Sequence, residues 1–272
     1  MTAEFESGSS RRRRRSSRLK GAVPCLLAIL SMTSVEAGRG DPGMSLPGGV
    51  PAGGPFDPPG TLYDNGQSDG TIAIGSQDGD NSYTSRAADE FILPAGPCLS
   101  GRFDIDGIRM HLVQGDFSPQ PFGLEIYEDD GTGTSPSPVD AISPIAAYPE
   151  TAQVLLGLYD PGLTIFEVSF DTAGLTLQAD TTYWISGFGT DNVANSLGFE
   201  NFFASSEGAM GTAPNGVFIN PGRLADTWTR VEILAGGPRL HFAFAIDGSC
   251  QEEVFSDGFE SGATDAWSGV TP

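Results

Sequence analysis

Short alternations of apolar and polar residues run through positions 61–250, and this is the pattern of β-strands with one face in a core. In the clearest of them, Leu240, Phe242, Phe244 and Ile246 alternate with His241, Ala243 and Ala245. Similar stretches, rich in β-branched and aromatic residues, occur at 108–113, 122–127, 165–170, 182–188 and 228–234. Clusters of Gly, Asp and Asn separate them and favour turns. No window shows a sustained helical stripe, so the pattern predicts strands.

Strands with one apolar face are buried by a second layer of strands. The sequence therefore predicts an all-β fold, an antiparallel two-sheet β-sandwich. The alternations indicate about ten strands, which suits a jelly-roll-like arrangement better than a seven-stranded immunoglobulin domain. No repeat of propeller or solenoid length is visible, which disfavours those architectures.

The first 37 residues have the pattern of a secretory signal peptide. Residues 11–20 read RRRRRSSRLK, and residues 21–35 form an apolar run followed by Val35-Glu36-Ala37, which suits cleavage before Gly38. A basic segment, a short apolar segment and small residues at the cleavage site are the three parts of such a signal. We expect export, to the medium or the cell surface. A disordered basic tail and a retained anchor helix are the alternatives.

The rest of the chain divides into three parts. Residues 38–60 contain 8 Gly and 6 Pro in 23 positions, a composition typical of a linker. Residues 61–250 carry the strand patterns and form the predicted β-sandwich domain. Residues 251–272 form a short acidic tail that is too small to fold alone.

Acidic residues dominate the charge. The chain has 14 basic and 35 acidic residues, a net charge of −21, and removal of residues 1–37 leaves seven arginines, no lysine and 32 acids, a net charge of −25. Nucleic-acid binding needs basic surface, so we expect no nucleic-acid partner. We also expect no integral membrane span in the mature chain.

Cysteine usage agrees with export. Of the three cysteines, Cys25 lies in the predicted leader, and Cys98 and Cys250 remain. A single pair in an oxidising compartment predicts a disulfide that joins the two ends of the domain. Two free buried thiols are the alternative.

Several segments resemble secreted bacterial β-sandwich domains of uncharacterised function. They are 62–66 (LYDNG), 87–94 (AADEFILP), 124–131 (LEIYEDDG), 177–187 (LQADTTYWISG) and 240–248 (LHFAFAIDG), in that order. The segment DGFESG at 257–262, with Trp267, is similar to one found at the ends of exported bacterial proteins. The resemblance implies the fold and the compartment, and carries over no catalytic residue.

Two acidic loops are candidates for structural calcium, because Ca²⁺ takes carboxylate and carbonyl oxygens. The candidate ligands are Asp78, Asp80 and Asn81 in one loop, and Glu128, Asp129 and Asp130 in the other. Neither loop has the spacing of an EF-hand. The alternative is that these side chains only form turns by bonding their own backbone.

Aromatic residues suggest carbohydrate as a ligand class. Phe202 and Phe203 lie in a loop-like stretch at 198–208, and adjacent residues of a strand cannot both face one core. We take them as candidate ligand-binding residues, with burial of one of them as the alternative. Trp184 and Trp228 lie in strand patterns and are expected in the core.

The sequence favours a non-enzymatic extracellular or cell-surface module with a binding or structural role, and a secreted hydrolase of glycans or esters is the alternative. Ser68 lies in Gly66-Gln67-Ser68-Asp69-Gly70, which has the letters of a nucleophile elbow. The residues that follow are prone to form a strand, whereas the elbow needs a helix there. The base would be His111 or His241, each on an alternating strand.

Overall fold

The computed structural model describes residues 60–79, 84–96, 98–115, 120–160, 163–190, 201–206, 216–221, 224–235 and 240–251. These residues form 12 strands and one helical turn, α1 (Val231–Ala235). The strands are β1 (Thr61–Asp64), β2 (Ser68–Gly75), β3 (Arg86–Ile92), β4 (Arg102–Gly115), β5 (Phe122–Glu128), β6 (Ala146–Asp160), β7 (Leu163–Gln178), β8 (Thr182–Gly189), β9 (Asn201–Ser206), β10 (Val217–Asn220), β11 (Ala225–Arg230) and β12 (Phe244–Cys250). The predicted leader, linker and tail lie outside the described residues except for Gly60 and Gln251.

The ladders between these strands are antiparallel. The main path runs β1-β12-β4-β7-β6-β5-β8-β3-β10-β11, and β9 pairs with both β4 and β2. The all-β, antiparallel prediction is confirmed, with 12 strands in place of about ten. In the described ranges, no helix has the length and apolar character needed to cross a membrane.

Two strands change partner along their length. The first residues of β6 pair with β5, and residues from Glu150 onward pair with β7. Strand β3 pairs with β10 through Arg86–Ala88 and with β8 through Asp89–Ile92. Hydrogen bonds therefore join all 12 strands into one continuous sheet. The division into two jelly-roll-like sheets stays a prediction.

The alternation in β4 changes phase at a bulge. Phe103 and Ile105 are buried before it, and Ile108 and Met110 after it. The pairing with β7 shifts register between Ile105 and Gly107. The extra residue lets both halves of the strand face the same core, because a shift of one residue would otherwise expose one half.

Strand β8 lies against β4 across this core. A Cβ atom placed on Gly187 would lie 2.7 Å from Leu112 Cδ2 and 2.9 Å from Met110 Sδ. The main apolar cluster accordingly joins residues of β4, β7 and β12 to residues of β3, β5 and β8. Trp184 and Trp228 are buried, as expected.

Two of the strand predictions need correction. In the predicted strand 228–234, only residues 228–230 belong to β11, and the rest lie in α1, which begins at Val231. The strand ends there because its pairing with β10 ends where Val217 meets Arg230. Residues 240–243 precede β12, and Ala243 and Ala245 are as buried as Phe244. This segment is therefore covered on both faces, whereas the alternation predicted one wet face.

Candidate metal centre

Three side chains with metal-binding atoms meet between β3 and the segment that precedes β12. Asp89 and Glu90 belong to β3, and His241 lies three residues before β12. One ligand atom from each side chain lies within 4.8 Å of one from each of the others. Asp89 and Glu90 are buried, and the His241 side chain is 12% exposed.

Asp89 is held in place by neutral donors. Its Oδ2 accepts hydrogen bonds from Asn65 Nδ2 (2.9 Å) and from the Phe242 backbone N–H (2.7 Å). Its Oδ1 accepts one from the Glu90 N–H (3.1 Å) and lies 3.5 Å from His241 Nδ1. A carboxylate offers about four lone-pair sites, so these three N–H donors leave one on Oδ1. The position of Asp89 therefore ties β3 to two other segments.

Glu90 lacks such support. Among the described residues, neither of its carboxylate oxygens has a hydrogen-bond partner, although the side chain is only 4% exposed. Burial, and then the neighbouring Asp89 carboxylate, raise the pKa of Glu90 to about 9. A buried acid beside a second carboxylate stays neutral at pH 7, because desolvation and the neighbouring negative charge both disfavour its own charge.

Tyr63 and Asn65 complete the polar surroundings. The Tyr63 hydroxyl lies 3.5 Å from Asn65 Oδ1. Burial, followed by the charges of Asp89, Glu90 and Asp64, raises the pKa of Tyr63, so its phenol stays protonated. Its ring stacks on Phe244 with 5.5 Å between the ring centres. The cluster thus lies among aromatic residues of the core.

The set of donor atoms suits a transition metal. Carboxylate oxygens bind most divalent cations, and imidazole nitrogen is a ligand for zinc, copper, iron and nickel. His241 is the most exposed of the three residues.

The first predicted calcium loop is only partly described. Asp78 Oδ1 forms an ion pair with Arg86 Nη2 at 2.7 Å. Asp80 and Asn81 lie outside the described residues. The structure therefore places one of the three predicted ligands, and it places this one beside a cation.

The second predicted calcium loop is organised by its own donors. Asp129 Oδ1 accepts the N–H groups of Gly131 (2.7 Å) and Gly133 (2.8 Å), and its Oδ2 accepts Trp184 Nε1 (3.0 Å). Asp130 accepts the Thr132 N–H (2.8 Å) and the Ser135 hydroxyl (2.9 Å). Both carboxylates act as turn formers, as in the alternative interpretation. Glu128 is exposed.

The two candidate phenylalanines are core residues. The loop-like stretch contains strand β9, and Phe202 and Phe203 on its two faces are both buried. Phe203 stacks on Phe242 with 4.5 Å between the ring centres. Phe203 packs in the main apolar cluster, and Phe202 packs in a second cluster with Val113 and Ile165, so these rings offer no platform to a sugar.

Ser68 is the first residue of strand β2, in agreement with the strand predicted from the residues that follow it. Its backbone N–H, rather than its hydroxyl, contacts a histidine. Its N–H donates to His111 Nδ1 over 3.0 Å, and His111 Nε2 lies 3.8 Å from Glu167 Oε2. The lone pair of Nδ1 is therefore used by a backbone donor rather than by the serine hydroxyl, although the three residue types of a hydrolytic triad are neighbours here.

The predicted disulfide is present. Cys98 and Cys250 are bonded across 152 residues of sequence. Cys98 precedes β4 and Cys250 ends β12, so the bond joins two paired strands of the same ladder.

Sequence reasoning did not predict the cluster of Asp89, Glu90 and His241. Two adjacent acids inside the apolar segment AADEFIL were its local signal. Their distance to His241 depends on strand register, which a single sequence does not reveal.

A search of protein-family models and of curated proteins finds no match to this chain. The resemblance to secreted bacterial β-sandwich domains therefore stays a prediction.

Proposed function

We propose that this chain is an exported, non-enzymatic β module that binds or organises material outside the cell, with carbohydrate as its ligand class. The observation that carries the proposal is the bond between Cys98 and Cys250. Disulfides form and persist in oxidising compartments and are rare in the cytosol. The signal-like leader and the acidic composition agree with that compartment.

The strongest support for a binding role over catalysis is the arrangement around Ser68. A serine nucleophile needs a base within hydrogen-bond reach of its hydroxyl. His111 instead accepts the Ser68 backbone N–H, and His111 is almost wholly buried. The proximity of Glu167 is the one feature that favours the alternative, a secreted hydrolase.

A surface for a polar ligand lies beside the turn after β5. A depression of about 400 Å³ is lined by Glu128, Asp129, Gly131, Asp180, Thr181, Thr182 and Tyr183. Its hydroxyl groups can donate hydrogen bonds to sugar hydroxyls and accept them, and its carboxylates can accept them. The depression brings several polar groups together, and such groups fix the orientation of a small ligand.

Polysaccharide pull-down with the secreted chain tests this proposal. We expect one or more polysaccharides to retain the protein, Glu128→Ala with Thr182→Ala to reduce retention, and Asp140→Ala, an exposed acid outside the depression, to leave it unchanged. Absence of binding across the panel would contradict a carbohydrate ligand. Turnover of a chromogenic ester or glycoside, abolished by Ser68→Ala, would establish the hydrolase instead.

A further inference from the structure

The cluster between β3 and β12 contains a buried acid that the fold leaves unsatisfied. Glu90 lies in the interior with both carboxylate oxygens lacking a hydrogen-bond partner among the described residues. Buried polar groups are nearly always paired, and an exception calls for an explanation such as an absent ion. The neighbouring Asp89 carboxylate makes the burial of Glu90 still more unfavourable.

The geometry already resembles that of a metal site. Ligands around a tetrahedral zinc ion lie about 3.4 Å apart, given Zn–N and Zn–O bonds of about 2.1 Å. His241 Nδ1 and Asp89 Oδ1 are 3.5 Å apart, and ligand atoms of all three side chains lie within 4.8 Å. A small movement of the Glu90 carboxylate would bring its oxygen to the distance at which all three side chains can bind one ion.

We propose that Asp89, Glu90 and His241 bind a zinc ion, with water as the fourth ligand. Two carboxylates neutralise the charge of Zn²⁺, which matters because an uncompensated charge is costly at a buried site. Zinc sites that keep three protein ligands leave a fourth position to water. The inference is independent of the proposed carbohydrate ligand.

The same residues disfavour calcium. Ca²⁺ takes six to eight oxygen ligands, and Mg²⁺ keeps several waters. This cluster offers only two carboxylates and an imidazole, which is too few oxygen ligands for Ca²⁺ and includes a nitrogen ligand. The site therefore differs in chemistry and in place from the two acidic loops.

Hydrogen bonds from neighbouring groups already fix the orientation of one proposed ligand, Asp89. Asn65 and the Phe242 backbone N–H hold Asp89 Oδ2, which orients Oδ1 towards His241. Partners of this kind fix ligand orientation and raise metal affinity. A bound ion would thus join β3 to the segment before β12.

Isothermal titration calorimetry on the full secreted chain, with its disulfide intact and metals removed by chelation, tests the site. We expect one Zn²⁺ per chain. Binding should weaken by at least about 100-fold in both Glu90→Gln and His241→Gln, because loss of a residue that only hydrogen-bonds to a metal ligand already costs tenfold to 100-fold in affinity. Glu128 is an exposed acid in the second predicted calcium loop, outside the cluster. The Glu128→Gln variant should bind zinc like the unaltered chain. Calcium chloride at the same concentrations should give no heat from this site.

Three results would overturn the proposal: no zinc binding, equal loss in Glu128→Gln, or unchanged binding in Glu90→Gln. X-ray absorption of the zinc-loaded, unaltered chain is decisive if a variant fails to fold. One imidazole nitrogen with oxygen ligands is expected, whereas an all-oxygen shell would contradict the site.

Discussion

Arg86 and Glu125 form a bidentate ion pair inside the protein. Arg86 Nε donates to Glu125 Oε2 over 2.6 Å, and Nη2 donates to Oε1 over 3.0 Å. Tyr127 donates its hydroxyl to the same carboxylate, and the guanidinium lies 3.5 Å from the centre of the Phe188 ring. This network connects β3 to β5 and β8, and Arg86, Glu125 and Tyr127 are all buried.

Removal of Glu125 should leave a buried charge with too few partners. We expect Glu125→Gln to lower the free energy of unfolding by about 3 kcal/mol, the range found when one partner of a buried pair is lost. Asp78→Asn removes the half-exposed partner of Arg86 and should cost less than about 1 kcal/mol. Urea unfolding of both variants measures the difference, and equal losses would contradict a buried network.

Reduction of the disulfide should destabilise the domain strongly. The chain-entropy relation assigns a loop of this length roughly 5 kcal/mol, as an upper figure. We expect Cys98→Ser with Cys250→Ser to reduce the urea midpoint to that of the reduced, unaltered chain. A double variant as stable as the oxidised chain would show that the bond contributes nothing.

Gly187 should not tolerate a methyl group. A Cβ there meets Leu112 Cδ2 and Met110 Sδ at less than 3 Å, so Gly187→Ala is expected to cost about 1–3 kcal/mol through overpacking. Gly96 has open space around its position, and Gly96→Ala is the matched control. Thermal melts should separate the two. Leu112→Ala removes one of the clashing side chains, so the loss of stability in the double variant should be smaller than the sum of the two single losses.

Glu90 should make the metal-free protein less stable as the pH rises. Its pKa is about 9 in the folded chain against an ordinary value of 4.5, so between these values the folded state holds one proton that the unfolded state has lost. Stability then falls with pH, by up to about 1.4 kcal/mol per unit. In the presence of a chelator, Glu90→Gln should weaken the fall of stability with pH and should be more stable than the unaltered chain at pH 8. Glu128→Gln should show the same pH dependence as the unaltered chain.

Strands could be predicted from the sequence wherever one face of the strand is exposed to solvent. β5 and β8 occupy almost the predicted residues, because their alternation is regular. β6 was not predicted, because much of it is exposed on both faces and its residues follow no period of two. In β4, the step of three between Ile105 and Ile108 is the visible trace of the bulge.

Contacts between distant segments were harder to predict. The disulfide was predicted by elimination, since only two cysteines remain once Cys25 is assigned to the predicted leader. Phe202 and Phe203 were misplaced because each of them packs in a different apolar cluster, so adjacent residues of β9 are both buried. Asp89 and His241 are far apart in sequence, and their contact depends on where the segment before β12 meets β3.

Mass spectrometry of the exported protein tests the central claim, a mature β domain closed by one disulfide outside the cytoplasm. We predict an N-terminus at Gly38 and a cross-linked peptide pair containing Cys98 and Cys250, with alkylation of both cysteines only after reduction. A chain that retains Met1, or that is alkylated at both cysteines without reduction, would contradict it.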